Sequence, residues 1–316
     1  MNTAMKLSGF ALGLAAVFGA AYGAGHLTDP VAPAAETRHD TTDPGHRDDH
    51  AATPTDHLPG GLLVSDRGYT LHSVTAPAGE FAFRITGPDG RPVTRYDVAH
   101  DKRMHLIVAR RDLSGFRHVH PELAADGTWR VASPLAGPGV WRAFADFTPT
   151  GGEPLTLGVD VTVPGPLTEH PLPPPATSST VDGYTVTLTG APQPGRTSRL
   201  TLTVSRDGRP VTDLQPYLGA YGHLVALRQG DLAYLHVHPE GAPGDGRTPA
   251  GPAVAFAAEV PSAGTYRLYL DFRHGDAVHT AEFTVVAGDV PPPAPPTTTT
   301  APTPDAGHGA PGHGHS

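Results

Sequence analysis

The stretch GVWRAFADF (residues 139–147) recurs later in the chain as GTYRLYLDF (residues 264–272). In both copies apolar residues occupy every second position, which is the period of a β-strand that buries one face. We expect the following side chains to face a core: Trp141, Ala143, Ala145 and Phe147 in the first copy, and Tyr266, Leu268, Leu270 and Phe272 in the second. Each copy therefore predicts one strand with a buried face.

Two further pairs of segments indicate that the whole middle of the chain is duplicated. DGRPVT occurs at residues 89–94 and again at 207–212, and HLIVARRDLSGFRHVHPE (105–122) returns as HLVALRQGDLAYLHVHPE (223–240). The sequence around them consists of short runs rich in β-branched and aromatic residues, bounded by Gly, Pro and Asp. Such runs are typical of antiparallel strands joined by tight turns. The pattern predicts an all-β fold with two tandem modules.

The recurring strand also suggests the kind of module. Its glycine, followed two residues later by an aromatic residue, resembles the start of strand F in immunoglobulin-like sandwiches, where an aromatic ring fixes a corner. We expect two tandem immunoglobulin-like antiparallel β-sandwiches, preceded by an N-terminal signal or anchor helix and flanked by disordered tails. The expected boundaries are 1–25 for a signal peptide or membrane anchor, 26–59 for a disordered His/Asp/Pro linker, 60–163 for the first sandwich, 164–177 for a Pro-rich linker, 178–287 for the second sandwich and 288–316 for a disordered Pro/Thr/His-rich tail.

The N-terminus predicts export from the cytoplasm. The uncharged run after Lys6 is long for the apolar part of a signal peptide and short for a membrane-spanning helix, so both interpretations stay open. The positive residue before this run and the acidic sequence after it place the rest of the chain outside the cytoplasm. We therefore expect a protein that is membrane-anchored by its N-terminal helix or secreted.

Charge and composition exclude several classes of function. The net charge is -9, and lysine and arginine are scattered, so no nucleic-acid partner is expected. The absence of cysteine excludes disulfides, thiolate nucleophiles, iron–sulfur clusters, blue-copper centres and cysteine-type zinc sites. The chain has 19 histidines, and those in the two tails could bind divalent metals weakly.

The repeated His-x-His-Pro-Glu predicts a metal site. Residues two apart in a strand project on the same face, so His118 and His120 can converge on one ion. His105 opens the preceding strand and lies a hairpin away from this pair, so the three rings could meet at one end of the sandwich. The second copy has the same pattern. The candidate ligands are His105, His118 and His120 in the first module, and His223, His236 and His238 in the second.

Four repeated acidic residues are weaker candidates. Asp146 and Asp271 end the recurring strand on the face opposite the core, and Glu122 and Glu240 follow the His-x-His-Pro. Each could be a fourth ligand or a hydrogen-bond acceptor that orients an imidazole. Each could equally be a turn cap or a solvated charge, and the histidines themselves could serve only a structural hydrogen-bond network.

Nothing in the sequence indicates an enzyme. It contains no serine-centred elbow, no glycine-rich phosphate loop, no His-Glu-x-x-His motif and no cysteine nucleophile. An open position on a bound metal could activate water in principle, but no substrate pocket is recognisable from the sequence. We therefore expect a binding protein.

The segments MHLIVARRDLSGFRHVHPEL and YLGAYGHLVALRQGDLAYLHVHPEG carry a family resemblance. They are similar to segments of secreted or membrane-anchored proteins of actinobacteria, usually described as hypothetical or heavy-metal-binding, and to YtkA-like β-sandwich modules. The resemblance covers residues 58–287 and implies metal binding by the six candidate histidines. The chain also resembles CopC-like copper carriers in size and fold, but it lacks a histidine at the start of the mature chain, which removes their amino-terminal copper ligand.

The sequence thus predicts an extracytoplasmic protein that buffers or carries copper, with zinc as the second choice and one histidine site in each module. Its partners would be divalent metal ions and a membrane or cell-envelope protein. Because a ligating imidazole must be neutral, binding is expected to fade as the pH falls through about 6. The alternative is a metal-free envelope protein that uses the two sandwiches for structure or interaction.

Overall fold

The structure, a computed structural model, describes residues 58–235 and 237–288. The predicted N-terminal signal or anchor helix, nearly all of the two predicted disordered segments, and His236 lie outside these residues. Within the described part of the chain, no helix is long and apolar enough to cross a membrane. The described residues all belong to one compact unit.

The first module, residues 60–163, is described throughout and forms two antiparallel sheets. The outer sheet has the order β1-β2-β3-β7-β6 and the inner sheet has the order β5-β4-β8-β9. The strands are β1 (Ser65–Asp66), β2 (Tyr69–Val74), β3 (Glu80–Thr86), β4 (His105–Arg110), β5 (Arg117–Val119), β6 (Glu122–Leu123), β7 (Thr128–Ala132), β8 (Gly139–Phe147) and β9 (Leu155–Val163).

The second module, residues 178–287, is described except for His236 and repeats this topology. Its outer sheet has the order β10-β11-β12-β17-β16, with β13 on β12, and its inner sheet has the order β15-β14-β18-β19. The strands are β10 (Ser178–Val181), β11 (Tyr184–Thr189), β12 (Thr197–Arg206), β13 (Arg209–Pro210), β14 (His223–Arg228), β15 (Tyr234–Leu235), β16 (Val237–Pro239), β17 (Ala253–Glu259), β18 (Gly264–His274) and β19 (Ala277–Ala287).

Each module has its own core between its two sheets, and the predicted all-β fold of two antiparallel sandwiches is confirmed. The four inward positions predicted on β8 lie in the core of the first module. The four predicted on β18 lie in the core of the second. The corner aromatics also behave as predicted: the Tyr266 hydroxyl donates to the Ser262 carbonyl at 2.8 Å. In the first module, Trp141 Nε1 donates to the Gly137 carbonyl at 3.2 Å.

The inner sheets of the two modules pack against each other and form a third apolar cluster. Strands β4 and β14 are buried on both faces, because one face of each strand lines the core of its own module and the other faces the inner sheet of the other module. The ring of Phe116 stacks on Tyr269 with centroids 4.0 Å apart. Phe144 packs on Tyr234 in the corresponding contact, with centroids 5.7 Å apart. Phe116 and Tyr234 are equivalent in the repeat, as are Phe144 and Tyr269, so the interface has approximate two-fold symmetry.

The segment predicted as a Pro-rich linker, residues 164–177, contains no strand and contacts both modules. Leu172 packs against the apolar cluster between the inner sheets. The His170 amide donates to Asp112 of the first module at 2.9 Å, and the Ala176 amide donates to Thr284 of the second at 3.1 Å. The segment therefore lies along the module pair as well as joining its two halves.

Candidate metal centre

Three histidines of the first module meet at one end of its inner sheet. One ring nitrogen from each of His105, His118 and His120 lies within 4.8 Å of the other two. Nitrogens bound to one ion at about 2.0–2.1 Å in tetrahedral geometry lie about 3.3 Å apart. His105 Nδ1 and His118 Nε2 are 3.0 Å apart. These three side chains, called the histidine triad below, could therefore hold a metal ion after small movements.

The hairpin of β4 and β5 positions the histidine triad. His105 begins β4, and His118 lies in β5 opposite Ile107. His120 follows the end of β5, and its ring centroid is 4.9 Å from that of His118. Val119 packs against the module core instead. The alternation of side chains along an extended segment thus places both imidazoles on one side.

A tight turn holds the His105 ring. Its Nε2 donates to the Ala99 carbonyl at 3.0 Å, because a carbonyl oxygen can only accept. Ala99 and Lys102 exchange backbone hydrogen bonds of 2.8 and 3.0 Å. The two residues between them, His100 and Asp101, have φ of 50° and 62°, the combination found in two-residue hairpin turns. With Nε2 occupied by this bond, a neutral His105 presents Nδ1 to His118.

His118 connects the two modules. Its Nδ1 lies 3.0 Å from Oδ2 of Asp271, and the two side chains are only 1% and 5% exposed. Asp271 lies on β18 of the second module, and its Oδ1 accepts from the Thr280 hydroxyl at 2.6 Å. A buried acid of the second module therefore fixes the orientation of an imidazole in the first.

The hydrogen bonds define which ring nitrogen of His118 is available to a metal ion. A carboxylate only accepts, so His118 Nδ1 donates to an ionised Asp271. His118 Nε2 faces His105 Nδ1 at 3.0 Å, and the hydrogen bond between them carries one proton. A metal ion bound at these two nitrogens would replace that proton.

Burial keeps the other two members of the triad neutral. Burial lowers the pKa of His105 to about 4; the hydrogen bond to Ala99 opposes this effect, and the nearby His118 adds to it. Burial, followed by repulsion from His118 and His105, lowers the pKa of His120 to about 3. These two imidazoles therefore remain neutral, the form that binds metal, well below pH 6. From the sequence alone, metal binding is expected to fade at about that pH.

His120 contacts the other two histidines of the triad and also lines a surface cleft. Its Nε2 is buried and has no hydrogen-bond partner among the residues that the structure describes. The residue also lines a cleft of about 450 Å³ together with Glu80, Glu122 and Arg130. Burying a nitrogen without a hydrogen-bond partner costs free energy, and the lone pair of such a nitrogen can bind a cation. The carboxylates of Glu80 and Glu122 line this cleft together with His120.

The candidate histidines of the second module are arranged differently. The His223 ring stacks on His105 with centroids 5.7 Å apart and lies 5.1 Å from His118. His238 is exposed and lines a separate cleft of about 630 Å³ that also includes Asp146. His236 lies outside the described residues. The expected second site of His223, His236 and His238 therefore stays a prediction.

The acidic candidates occupy different environments. Asp271 contacts His118 as described, whereas the equivalent Asp146 accepts from the Tyr234 hydroxyl at 3.3 Å. Glu122 is exposed beside His120. Glu240 is ion-paired with Arg199 at 2.8 Å on the outer sheet of the second module. None of these four belongs to the group of potential ligand atoms found among the described residues.

Two neighbours of the triad were not among the predicted site residues. The His100 ring lies 6.1 Å from that of His105 and 5.3 Å from that of His223. The ring of Tyr217, from the second module, lies 6.5 Å from that of His120. Both residues belong to equivalent tight turns that precede β4 and β14. The available signal was the unbroken apolar run in HLIVAR and HLVALR, which predicts strands covered on both faces.

Comparison with known families accounts for the duplicated sequence. The sequence model described as "Domain of unknown function (DUF8832)" matches twice, over residues 68–165 and 179–289. The chain belongs to the DUF8832 family. The two matches coincide with the two DUF8832 modules of the structure, and the resemblance to YtkA-like modules is not confirmed. No curated protein matches the chain.

Two solved structures show a distant likeness. A DUF3823 family protein from Bacteroides uniformis is 14% identical, with a TM-score of 0.19, and the match covers 62% of this chain and 93% of that one. A protein from Corynebacterium diphtheriae described as a candidate membrane-anchored protein is 10% identical, with a TM-score of 0.21, and the match covers 73% of this chain and 60% of that one. Neither likeness supports an inference about the function of this chain.

Proposed function

We propose that this protein binds a divalent transition-metal ion, with copper as the first choice and zinc as the second, and buffers or carries it without catalysing a reaction. The observation that carries the proposal is the convergence of His105, His118 and His120, whose ligand nitrogens lie within 4.8 Å of one another. A second observation supports the proposal: Nε2 of His120 is buried and has no hydrogen-bond partner among the described residues.

The donor set favours transition metals such as copper(II) and zinc over magnesium and calcium. Imidazole nitrogens suit copper, zinc and nickel, whereas magnesium and calcium prefer oxygen ligands. Thiolates are excluded because the chain has no cysteine. Met104, which precedes His105, is packed in the module core and is not available as a thioether ligand. Three imidazoles leave one coordination position for water or a partner's ligand, as a carrier requires.

The cellular setting is proposed from the N-terminal sequence. The apolar run after Lys6 and the acidic sequence that follows it favour export, with the two modules secreted or held outside the membrane. Histidines in the two tails would collect ions weakly, and the histidine triad would hold one of them. A membrane or cell-envelope protein would be the partner that delivers or receives the ion, and no nucleic acid would take part.

Calorimetric titration of copper(II) and zinc(II) into the full-length chain tests this proposal. The matched control is the variant in which His105, His118 and His120 are all changed to Asn, because it keeps the tail histidines as background. We expect the native chain to show one additional binding event at micromolar affinity or tighter, about -8 kcal/mol. Identical titrations of the two proteins, with circular dichroism showing that both are folded, would contradict a metal site at the triad.

A metal-free structural role is the second candidate, and one observation favours it. The hydrogen bonds from Ala99 through His105 and His118 to Asp271 link the modules without any ion. In that case the triad variant would lose stability, and added metal would not change the melting temperature of the native chain. A rise in melting temperature with copper or zinc that the variant lacks would favour metal binding.

A further inference from the structure

The histidine triad belongs to the first module, but its central imidazole is held by the second. His118 presents Nε2 to His105 at 3.0 Å and Nδ1 to Asp271 at 3.0 Å. The two partners lie on opposite sides of the ring and on different modules. The direction of the His118 ring therefore depends on how the modules are packed together.

Asp271 is a firmly held acceptor. It is 3% exposed, lies within β18 and accepts from the Thr280 hydroxyl at 2.6 Å through its other carboxylate oxygen. Metal-binding histidines commonly donate their second ring N–H to a carboxylate, which fixes the ring and makes it a stronger ligand. The contact between His118 and Asp271 has this geometry, except that the carboxylate comes from another module.

Building on the proposed function, we infer that Asp271 is the positioning residue of the metal site and couples metal occupancy to the docking of the two modules. If docking strengthens metal binding by a given factor, bound metal strengthens docking by the same factor. The ion would thus tighten the interface between the inner sheets. Loss of the ion would loosen it, and the metal load would be visible to a partner that contacts both modules.

The two-fold symmetry of the interface supplies a matched control. At the position equivalent to Asp271, Asp146 accepts from Tyr234 of the second module at 3.3 Å. The Tyr234→Phe substitution removes this hydrogen bond between modules and keeps the ring that packs on Phe144. It removes one hydrogen bond between the modules and touches none of the three histidines of the triad. If Asp271 had only a structural role, the substitutions of Asp271 and of Tyr234 would change metal affinity to the same extent.

The experiment compares the full-length native chain with D271N, D271L and Y234F. Zinc affinity is measured by calorimetry, and the copper(II) site by electron paramagnetic resonance. We expect D271N to weaken zinc binding by about 10-fold and D271L by up to about 100-fold, because Asn keeps an acceptor and Leu does not. The copper spectrum should change in the same order. Y234F should stay within about twofold of the native affinity and keep the native spectrum.

The outcomes are distinguishable. Native affinity and spectrum in folded D271N and D271L would overturn the positioning role while leaving metal binding by the triad intact. An equal loss in Y234F would also overturn it, because general loosening would then explain the effect. Absence of any triad-dependent binding in the native chain would instead contradict the proposed function, and this inference with it.

Discussion

His118 and Asp271 are 153 positions apart in the chain, yet His118 Nδ1 and Asp271 Oδ2 lie 3.0 Å apart in a site with almost no solvent exposure. The contact joins the two copies of an internal repeat through one member of the histidine triad. The duplication therefore creates a composite candidate site at the junction of the modules, to which the second copy contributes Asp271 and the His223 ring.

The two copies of His-x-His should respond differently to mutation. Changing His120 to Ala should weaken copper or zinc binding by at least about 10-fold, because it removes one of three ligands. Changing the equivalent His238 to Ala should leave the affinity within about twofold, because His238 is exposed and lines a different cleft. Calorimetric titration of both variants measures the difference. Equal losses would place the site elsewhere.

Loosening the interface between the inner sheets should weaken metal binding from a distance. Tyr269→Ala removes the ring that stacks on Phe116 and the hydroxyl that donates to the Leu113 carbonyl at 2.5 Å. It should lower the free energy of unfolding by about 3 kcal/mol and reduce metal affinity several-fold. Urea denaturation and titration provide the two values.

The control for Tyr269→Ala is Leu202→Ala. Leu202 is fully buried in the core of the second module and lies outside the cluster between the inner sheets. Its truncation should lower the unfolding free energy by about 2–5 kcal/mol, with native metal affinity in the folded protein. If both variants lose affinity equally, global stability, not docking, controls the site.

The stability of the metal-free protein should decrease with acidification. Burial lowers the pKa of His105 to about 4 and that of His120 to about 3, below the ordinary value of about 6.5 in the unfolded chain. Between these values the unfolded chain binds more protons, so the stability present above pH 6.5 is lost progressively as the pH falls towards 4. Urea midpoints measured with a chelator from pH 7.5 to 4.5 give the slope.

The variant in which His105 and His120 are both changed to Asn serves as the control for this slope. It lacks the two histidines that must become protonated on unfolding, so its midpoint should vary less with pH over the same range. An equally steep dependence in this variant would assign the effect to other groups.

The corner tyrosine should matter for stability and not for metal binding. Tyr266→Phe removes the 2.8 Å hydrogen bond to the Ser262 carbonyl and keeps the buried ring. We expect a loss of about 1 kcal/mol in unfolding free energy, within the range for one buried hydrogen bond, with unchanged zinc affinity. Chemical denaturation checks the first value. A change in affinity would show that the corner influences the site.

The sequence predicts the fold because the alternation along β8 and β18 is strictly local. Trp141 and Tyr266 face their cores as the two-residue period requires. The meeting of His105 with His118 and His120 is also a local result, since a single hairpin of β4 and β5 brings them together. Period and hairpin length suffice for both predictions.

The composite nature of the centre could not be derived in the same way. Whether Asp271 reaches His118 depends on which faces of the two sandwiches pack together, and that is decided by contacts such as Phe116 on Tyr269. The sequence placed Asp271 on the face opposite its own core but did not identify what covers that face. The apolar residues Ile107 and Val225 at matching positions of β4 and β14 were the available indication.

Anomalous diffraction at the zinc absorption edge, from crystals of the full-length chain grown with zinc, would show whether the histidine triad holds a metal ion. We expect one strong peak about 2.0–2.1 Å from one ring nitrogen each of His105, His118 and His120, with Asp271 still bonded to His118 Nδ1. A density map with no peak at the triad, and zinc bound only by other residues, would contradict it.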